Sequence, residues 1–278
     1  MSTPVPCLHR VHVGEPHGAS AIHAALGMSI GLEPLIARLD TLHRRAEGEG
    51  RDLRSQLVTF DDGWADPLHL APHFDEWTHL QPVLFLTARQ IEGSQELLPL
   101  PRLYEWCAQT QTPLAELERH GISRLAMKLM PEKDQHQLLD TLGVPRSPCS
   151  PEVLSREQIH ELAARGWIIA SHAHDHCDLR GFDSDELSTG LAAALRSVSS
   201  VGGKPWLAWP EGRCCGRTCG VAASVGFELQ FSLAQETKTF ERSDLVPREI
   251  YKEQVLNGHD ASRNERRSRP NILAKEFQ

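Results

Sequence analysis

Short apolar runs alternate with amphipathic segments along about 200 residues of this chain, and this alternation limits the possible folds more than any other feature. Residues 56–60 and 82–87 are rich in β-branched and apolar side chains, and residues 66–80 between them suit a helix. Parallel strands joined by helices are buried on both faces and are therefore apolar throughout. The pattern predicts a parallel α/β sheet or barrel, with functional residues on the loops that follow the strands.

Helices flank and interrupt this alternation. Residues 23–46 place leucine and isoleucine largely at helical spacing, which predicts one outer helix before a glycine-containing loop at residues 48–50. Residues 92–155 have polar helical patterns separated by prolines, which predicts a helical insertion. The helices predicted in the insertion are 103–110, 113–119 and 135–142, and the elements predicted after it are helix 155–165, strand 167–170, helix 186–198, strand 206–209, helix 217–225 and strand 228–233.

Charge and composition narrow the expected partners and compartment. The formal charge of −8 gives no reason to expect nucleic acid, whose binding surfaces are usually basic. Residues 1–18 lack the basic start and continuous apolar stretch of a secretory signal, and no window approaches the ~20 apolar residues of a membrane span. A cytoplasmic location is therefore expected. Seven cysteines are an odd number for a closed disulfide framework, so reduced thiols are expected.

Two adjacent carboxylates follow the first of these apolar runs. Asp61 and Asp62 come directly after residues 56–60, and Gly63 permits a turn that bulkier residues do not. Adjacent side chains at a strand end point in different directions, so one carboxylate can bind a metal ion while the other acts as a base on water beside it. Taken alone, the motif fits a structural role, as an Asp-Gly turn or as a helix cap ahead of residues 66–80, as well as it fits a metal site.

A histidine cluster at residues 171–176 follows a later predicted strand. His172 and His176 lie four residues apart, close enough for one helical turn or a tight loop to direct both imidazoles at a single ion. The alternative is a set of surface histidines on a loop. The metal hypothesis requires Asp62 and these two histidines, over a hundred positions apart in the sequence, to converge on one cation.

Taken together and in this order, these segments resemble the polysaccharide deacetylase, or NodB-homology, family. Residues 59–63 (TFDDG) and 171–176 (SHAHDH) resemble its TFDDG and SHxxxH motifs, and residues 206–213 resemble its FAYPYG segment. The resemblance covers roughly residues 30–250 in the expected order, which is more specific than any single motif. It implies an α/β fold, a deformed (β/α) barrel of the NodB-homology type with the helical insertion between the two motifs.

The resemblance also implies a division of the chain and an activity. The N-terminal segment and outer helix occupy residues 1–50, the deacetylase barrel residues 51–255 with the insertion at about 92–155, and a polar tail residues 256–278. The implied reaction is the removal of N-acetyl groups from an N-acetylated saccharide. That saccharide is then the expected partner, and the oligomeric state is left open.

The resemblance assigns roles to individual residues. Asp62, His172 and His176 are the implied metal ligands, and Asp61 is the implied catalytic base. Three protein ligands leave an open position for water and for the substrate carbonyl, as expected of a catalytic ion. Zinc is the ion best suited to this donor set, with cobalt, nickel or iron as alternatives. In the family a backbone N–H after the proline stabilises the oxyanion, and here that residue is Glu211 in place of tyrosine.

Departures from the family pattern affect the supporting residues. Ala173 replaces the usual threonine of the histidine motif, and Ala208 replaces an arginine that orients the base in some members. Arg248 resembles an arginine on the last barrel strand of many bacterial members and is the candidate for that orienting role. His259 is the candidate general acid because it follows a sequence close to the family's late Leu-x-His motif, and His174 or a metal-bound water is the alternative.

Two other clusters and two other functions were weighed against this hypothesis. His69 and His73 are also four apart, but Pro72 lies between them, and an exposed helix face is the expected explanation. The cysteines at 214, 215 and 219 lack paired Cys-x-x-Cys spacing, which favours structural thiols. The alternative functions are a metal-dependent amidohydrolase that acts on a non-sugar amide and a non-catalytic carbohydrate-binding descendant.

Overall fold

Seven parallel strands form a closed barrel, which stands beside a two-stranded sheet. The computed structural model describes residues 5–147, 149–233 and 244–251. Within these residues the strands are β1 (Val5–Leu8), β2 (Arg10–His12), β3 (Ser29–Gly31), β4 (Gln56–Phe60), β5 (Leu80–Leu86), β6 (Ile168–Ser171), β7 (Trp206–Ala208), β8 (Leu229–Leu233) and β9 (Leu245–Ile250). The barrel order is β1, β4, β5, β6, β7, β8, β9, and β9 pairs back onto β1 with Val5 opposite Arg248.

Helices surround the barrel. Within the described residues the α-helices are α1 (Ala19–Ala25), α2 (Leu32–Gly48), α3 (Ala71–Glu76), α4 (Ala88–Ile91), α5 (Pro99–Thr110), α6 (Arg124–Lys128), α7 (Glu132–Thr141), α8 (Arg156–Ala164), α9 (Ser184–Ser200) and α10 (Gly216–Val225). Shorter 3-10 helices span Asp66–His69, Leu114–His120, Leu179–Gly181 and Pro210–Gly212. In the described part of the chain, no helix combines the length and the apolar content that crossing a membrane requires.

The barrel has two sets of core side chains because successive residues of a strand point to opposite faces. In β5, Leu84 and Leu86 pack outward in the cluster that includes the surrounding helices. Val83 and Phe85 point inward and meet inward-facing residues of three other strands, Ala170, Ala208 and Phe231. This double burial explains why β5 is apolar at almost every position and why the sequence identified it as a strand.

The predicted barrel is confirmed, but it begins earlier than residue 51. The sequence predicts an N-terminal segment and a helix for residues 1–50, whereas β1 is a barrel strand paired with both β4 and β9. This strand has only four residues and begins at Val5, the first described residue. So short a segment gives almost no periodic signal, which is why it was missed.

The single helix predicted over residues 23–46 is wrong. The structure has α1, then β3, then α2, and Ile30 is a buried strand residue. Gly27 has a left-handed φ of 69°, which a continuing helix cannot accommodate, and Gly31 is extended as the N-cap of α2. The helix predicted over residues 66–80 is also shorter: a 3-10 turn precedes α3, which ends at Glu76 before β5 begins.

The helical insertion between the two motifs is confirmed. Helices α5, α6 and α7 and the 3-10 helix Leu114–His120 enclose a separate apolar cluster, which includes Leu103, Tyr104, Cys107, Leu117, Met127 and Leu139. After the insertion, Ser155 caps α8 as predicted by accepting a hydrogen bond from the N–H of Gln158, and Gly166 ends that helix region with a φ of 86°. The chain then enters β6 and the histidine cluster.

Candidate metal and catalytic site

The residues singled out in the sequence lie where barrel strands end. Asp61 and Asp62 follow β4, His172 follows β6, and Glu211 lies in the turn after β7. All these strands are parallel, so their carboxyl ends meet at one rim of the barrel. Arg248 enters the same region from β9, because that strand closes the barrel beside β1. The barrel topology therefore brings together groups that are far apart in the sequence.

Left-handed backbone conformations are concentrated at this rim. Among the described residues, five non-glycine residues have a positive φ, and three of them are Asp62 (68°), Ala173 (65°) and Glu211 (57°), one in each loop after β4, β6 and β7. Such conformations cost about 1 kcal/mol or more for a residue with a Cβ and persist only where the surroundings impose them. The loops are thus held in shapes that point specific groups inward.

Asp62, His172 and His176 form a compact donor set. One ligand atom from each residue lies within 4.8 Å of the others. Nε2 of His176 is 3.0 Å from Oδ1 of Asp62, and Nε2 of His172 is 3.4 Å from the same oxygen. The side chains of Asp62 and His172 are buried, and that of His176 is 14% exposed. The convergence that the metal hypothesis required is therefore present.

Hydrogen bonds fix the orientation of both imidazoles. Nδ1 of His172 lies 2.9 Å from the carbonyl oxygen of Ala208, which can only accept, so Nδ1 holds the proton and Nε2 presents a lone pair to Asp62. The loop of His176 is held by the insertion, because its backbone N–H donates to the buried carboxylate of Glu132 at 3.1 Å. Glu132 is itself paired with Arg89 at 2.7 Å.

The electrostatics of the donor set favour a cation. Burial raises the pKa of Asp62, but the neighbouring histidines, His176 foremost, together outweigh burial and hold that pKa well below its usual value. Burial lowers the pKa of His176, but the charge and close contact of Asp62, together with the charges of Glu211 and Glu132, raise that pKa to about 9. Oδ1 of Asp62 is buried, and no hydrogen bond of normal geometry reaches it within the described chain. One carboxylate and two imidazoles around such an oxygen fit a divalent transition metal.

Asp61 has a different environment from its neighbour. Nη1 of Arg248 donates to Oδ1 of Asp61 at 2.6 Å, and both side chains are buried. Burial raises the pKa of Asp61, but the charge and the hydrogen bond of Arg248, together with the neighbouring histidines, hold that pKa below its usual value. Arg248 also donates to the hydroxyl of Thr59 at 3.3 Å and lies 5.3 Å from the ring centre of Phe85. The orienting arginine expected from the sequence is therefore placed against Asp61.

A histidine that the sequence motifs do not identify also lies close to Asp61. His9 follows β1, and ligand atoms of Cys7, His9 and Asp61 lie within 4.8 Å of one another. Nδ1 of His9 is buried and has no hydrogen-bond partner in the described structure. This second group is a poor cation site, because Arg248 already neutralises Asp61 and burial raises the pKa of Cys7 well above its usual value, which keeps the thiol protonated. His9 was not identified from the sequence because the short strand β1, which places it beside Asp61, was not predicted.

The turn at Glu211 leaves a backbone donor available. Its two hydrogen bonds run from the N–H of Gly212 to the carbonyl of Trp209 and from the N–H of Arg213 to the carbonyl of Pro210, and neither engages the N–H of Glu211. The side chain of Glu211 forms an ion pair with Lys128 of α6. The carboxylate is thus directed toward the insertion and away from the turn's own backbone.

Comparison with known proteins agrees with this architecture. The family model for polysaccharide deacetylase matches residues 51–230, well over half of the chain. The chain belongs to the polysaccharide deacetylase family. Membership indicates a hydrolase that removes acetyl groups, as the sequence resemblance implied. No curated protein matches the sequence.

Solved structures of deacetylases share the fold of this family member. A Streptococcus pyogenes deacetylase in complex with acetate is similar with a TM-score of 0.53 and 13% identity, over 91% of this chain and 94% of that one. A de-N-acetylase from Aggregatibacter actinomycetemcomitans has a TM-score of 0.50 and 14% identity, over 88% and 93%. A polysaccharide deacetylase from Bacillus cereus has a TM-score of 0.51 and 11% identity, over 89% and 65%. At these identities the likeness establishes the fold alone.

The remaining candidate residues from the sequence do not belong to the donor set of Asp62, His172 and His176, and one of them lies outside the described residues. His174 is half exposed, lies 3.1 Å from Asp175 and lines a cavity against α9, so it is a poor alternative proton donor. His259 lies outside the described residues, as does the predicted tail 256–278. Neither the pair His69 and His73 nor the cysteines at 214, 215 and 219 belong to a group with metal-ligand geometry in the described chain.

Proposed function

We propose that this chain is a metal-dependent hydrolase that removes N-acetyl groups from an N-acetylated saccharide. The observation that most supports this proposal is the convergence of Asp62, His172 and His176 beside the ionised carboxylate of Asp61. A metal site next to a buried base is an arrangement that suits metal-assisted hydrolysis of an amide by water. The family match supports the reaction class, and the saccharide is the substrate class that the family name implies.

Asp62, His172 and His176 would hold the ion, and zinc suits their donor atoms best. A divalent cation at this position supplies a Lewis acid that acidifies water and polarises the substrate carbonyl. Cobalt, nickel and iron accept the same ligands. The protein contributes the fixed orientation of each ligand: Ala208 fixes the proton of His172 on Nδ1, and Glu132 holds the loop of His176.

Asp61 is the proposed general base. Its carboxylate is ionised, buried and held at one oxygen by Arg248, which leaves the other oxygen, Oδ2, turned toward His172 at 4.0 Å and toward Cys7 at 3.5 Å. This oxygen can take the proton of a water molecule that attacks the acetamide carbon. Arg248 keeps the base anionic in a buried site and fixes its position, which is the role expected of it from the sequence.

The N–H of Glu211 is the proposed donor to the oxyanion that forms on attack. The left-handed conformation of Glu211 and the hydrogen bonds of the adjacent residues leave this N–H unused by the turn. A preorganised N–H of this kind stabilises negative charge that develops only in the transition state. The change from tyrosine to glutamate does not affect it, because the donor is main chain.

His9 is the candidate to protonate the leaving amine. A ligand atom of its imidazole lies within 4.8 Å of a carboxylate oxygen of Asp61, and its buried Nδ1 has no hydrogen-bond partner among the described residues. His259, the donor expected from the sequence, is untested because it lies outside the described residues. Comparing His9→Ala with His259→Ala distinguishes the two candidates, since replacing the residue that acts as general acid should lower kcat by about 10²–10⁴-fold.

Acetate release from zinc-loaded protein tests the proposal. We expect release from chitooligosaccharides or a related N-acetylated glycan, and loss of release in Asp61→Asn with the bound metal retained. Hydrolysis of small non-sugar amides but no acetylated saccharide would indicate an amidohydrolase instead. Saccharide binding without metal in protein never exposed to chelator would indicate a non-catalytic descendant. The cytoplasmic location stays a prediction, which cell fractionation tests.

A further inference from the structure

An ion pair connects the helical insertion to the turn that follows β7. Lys128 is the last residue of α6, and its ammonium group contacts the carboxylate of Glu211. The side chains are 27% and 15% exposed, so the pair lies at the edge of the site with partial access to water. Glu211 replaces the tyrosine that resembling sequences have at this position, and Lys128 belongs to the insertion.

The backbone fixes both partners of this pair. The carbonyl of Lys128 accepts the N–H of Asp178 at 2.7 Å, and Asp178 lies two residues after His176. Nη1 of Arg213, two residues after Glu211, lies 3.4 Å from Oδ2 of Asp178. The insertion, the histidine loop and the β7 turn are therefore tied together at one place, and the ammonium group is held where Glu211 needs a counter-ion.

An uncompensated carboxylate at Glu211 would oppose the proposed reaction. Glu211 lies close to the site in the fold, because it comes three residues after Ala208, whose carbonyl oxygen accepts the hydrogen bond from Nδ1 of His172. Hydrolysis of an amide creates negative charge on the carbonyl oxygen, and the N–H of Glu211 is the proposed donor to it. A carboxylate on the same residue would repel that charge unless a cation neutralises it and holds it aside.

We propose that Lys128 is a positioning residue, which neutralises the side chain of Glu211 and turns it toward the insertion so that the N–H of Glu211 can stabilise the oxyanion. The proposal rests on the proposed hydrolase function. It gives the insertion a part in the reaction centre, and it explains how this chain accommodates an acidic residue next to a developing negative charge.

A double-mutant cycle on the full-length, zinc-loaded protein tests this role. Lys128→Met should lower kcat about tenfold with KM changed less than about twofold, because the lost stabilisation belongs to the transition state. In a Glu211→Gln background the same substitution should change kcat by less than about twofold, since no carboxylate remains to neutralise. Lys128→Arg should retain most of the activity. Lys133→Met, an exposed lysine of α7 in the same insertion, is the matched control.

Zinc affinity provides a readout that does not depend on activity. Lys128→Met should bind zinc a fewfold more tightly than the wild type, because Glu211 then attracts the cation without opposition, and the gain should be smaller with Glu211→Gln. Equal losses of kcat in both backgrounds would overturn the proposal, and so would an unchanged kcat in Lys128→Met. If the wild-type protein releases no acetate from any saccharide, the proposed function fails. The zinc affinities of the same variants then decide on Lys128 alone: an unchanged zinc affinity in Lys128→Met overturns its proposed role.

Discussion

The buried pair of Arg248 and Asp61 gives the sharpest stability prediction. Arg248 is 1% exposed and Asp61 3% exposed. Arg248→Met would therefore leave the carboxylate of Asp61 buried, without its hydrogen-bonded counter-ion and with almost no access to water. Breaking such a pair by removing one partner costs about 3–5 kcal/mol. We expect Asp61→Asn alone to cost a similar amount, because it strands the buried guanidinium.

The double variant distinguishes a lost charge pair from lost packing. In Arg248→Met with Asp61→Asn neither charge of the pair remains, so the loss should shrink to within about 2 kcal/mol of the wild type. The assay is urea unfolding in the presence of a chelator, because a bound metal would add its own stabilisation. If the two single losses simply add in the double variant, the reasoning about a mutually neutralising buried pair is refuted.

Arg102 provides the matched control. Its side chain is also 1% exposed, but its partner Asp140 is 40% exposed and is solvated without it. Arg102 also donates to backbone carbonyls, among them that of Pro145 at 2.9 Å. Arg102→Met should therefore lower the free energy of unfolding by leaving these carbonyls without a donor. Adding Asp140→Asn should recover none of that loss. Recovery in this second cycle would show that the effect at Arg248 is not specific to a buried carboxylate.

Three further predictions concern the site's supports and the pH dependence of stability. Glu132→Ala should weaken zinc binding about tenfold or more, measured by competition, while Glu132→Gln keeps an acceptor for the histidine loop and should lose less. Gly63→Ala should destabilise by about 2 kcal/mol or more, because a Cβ there would lie 2.6 Å from the side-chain amide of Gln90, whereas Gly166→Ala, also left-handed but with nothing nearby, should cost only about 1 kcal/mol. Burial lowers the pKa of His23 from 6.5 to about 4, so its contribution to stability is complete above pH 6.5 and falls by about 3 kcal/mol as the pH drops toward 4. A pH series of urea unfolding with His23→Gln should lack that part of the decline, and an unchanged decline would contradict the assignment.

Much of the barrel could be predicted because its strands are buried on both faces. β4, β5 and β6 gave continuous apolar or β-branched runs, and polar motifs directly after them marked the ends that form the site. Caps such as Ser155 gave equally local signals. The alternation and the family resemblance predicted a parallel barrel but not the order of its strands, since no local pattern specifies which strand pairs with which.

The parts that could not be predicted depend on contacts distant in the sequence. β1 is too short for periodicity, so His9 was not recognised as a neighbour of Asp61. Gly27 and Gly31 divide the segment predicted as one helix, yet the leucine spacing on both sides suggested continuity. The ion pair of Lys128 with Glu211 joins residues 83 positions apart, and only the packing of the insertion against the barrel brings them together.

Anomalous diffraction at the zinc absorption edge, from crystals grown with one equivalent of zinc, tests the central claim most directly. The account predicts one peak at about 2.0–2.2 Å from a carboxylate oxygen of Asp62 and from one imidazole nitrogen each of His172 and His176. The peak should vanish in Asp62→Ala. A peak centred instead on Cys7 and His9, or no peak at the barrel rim, would contradict the account.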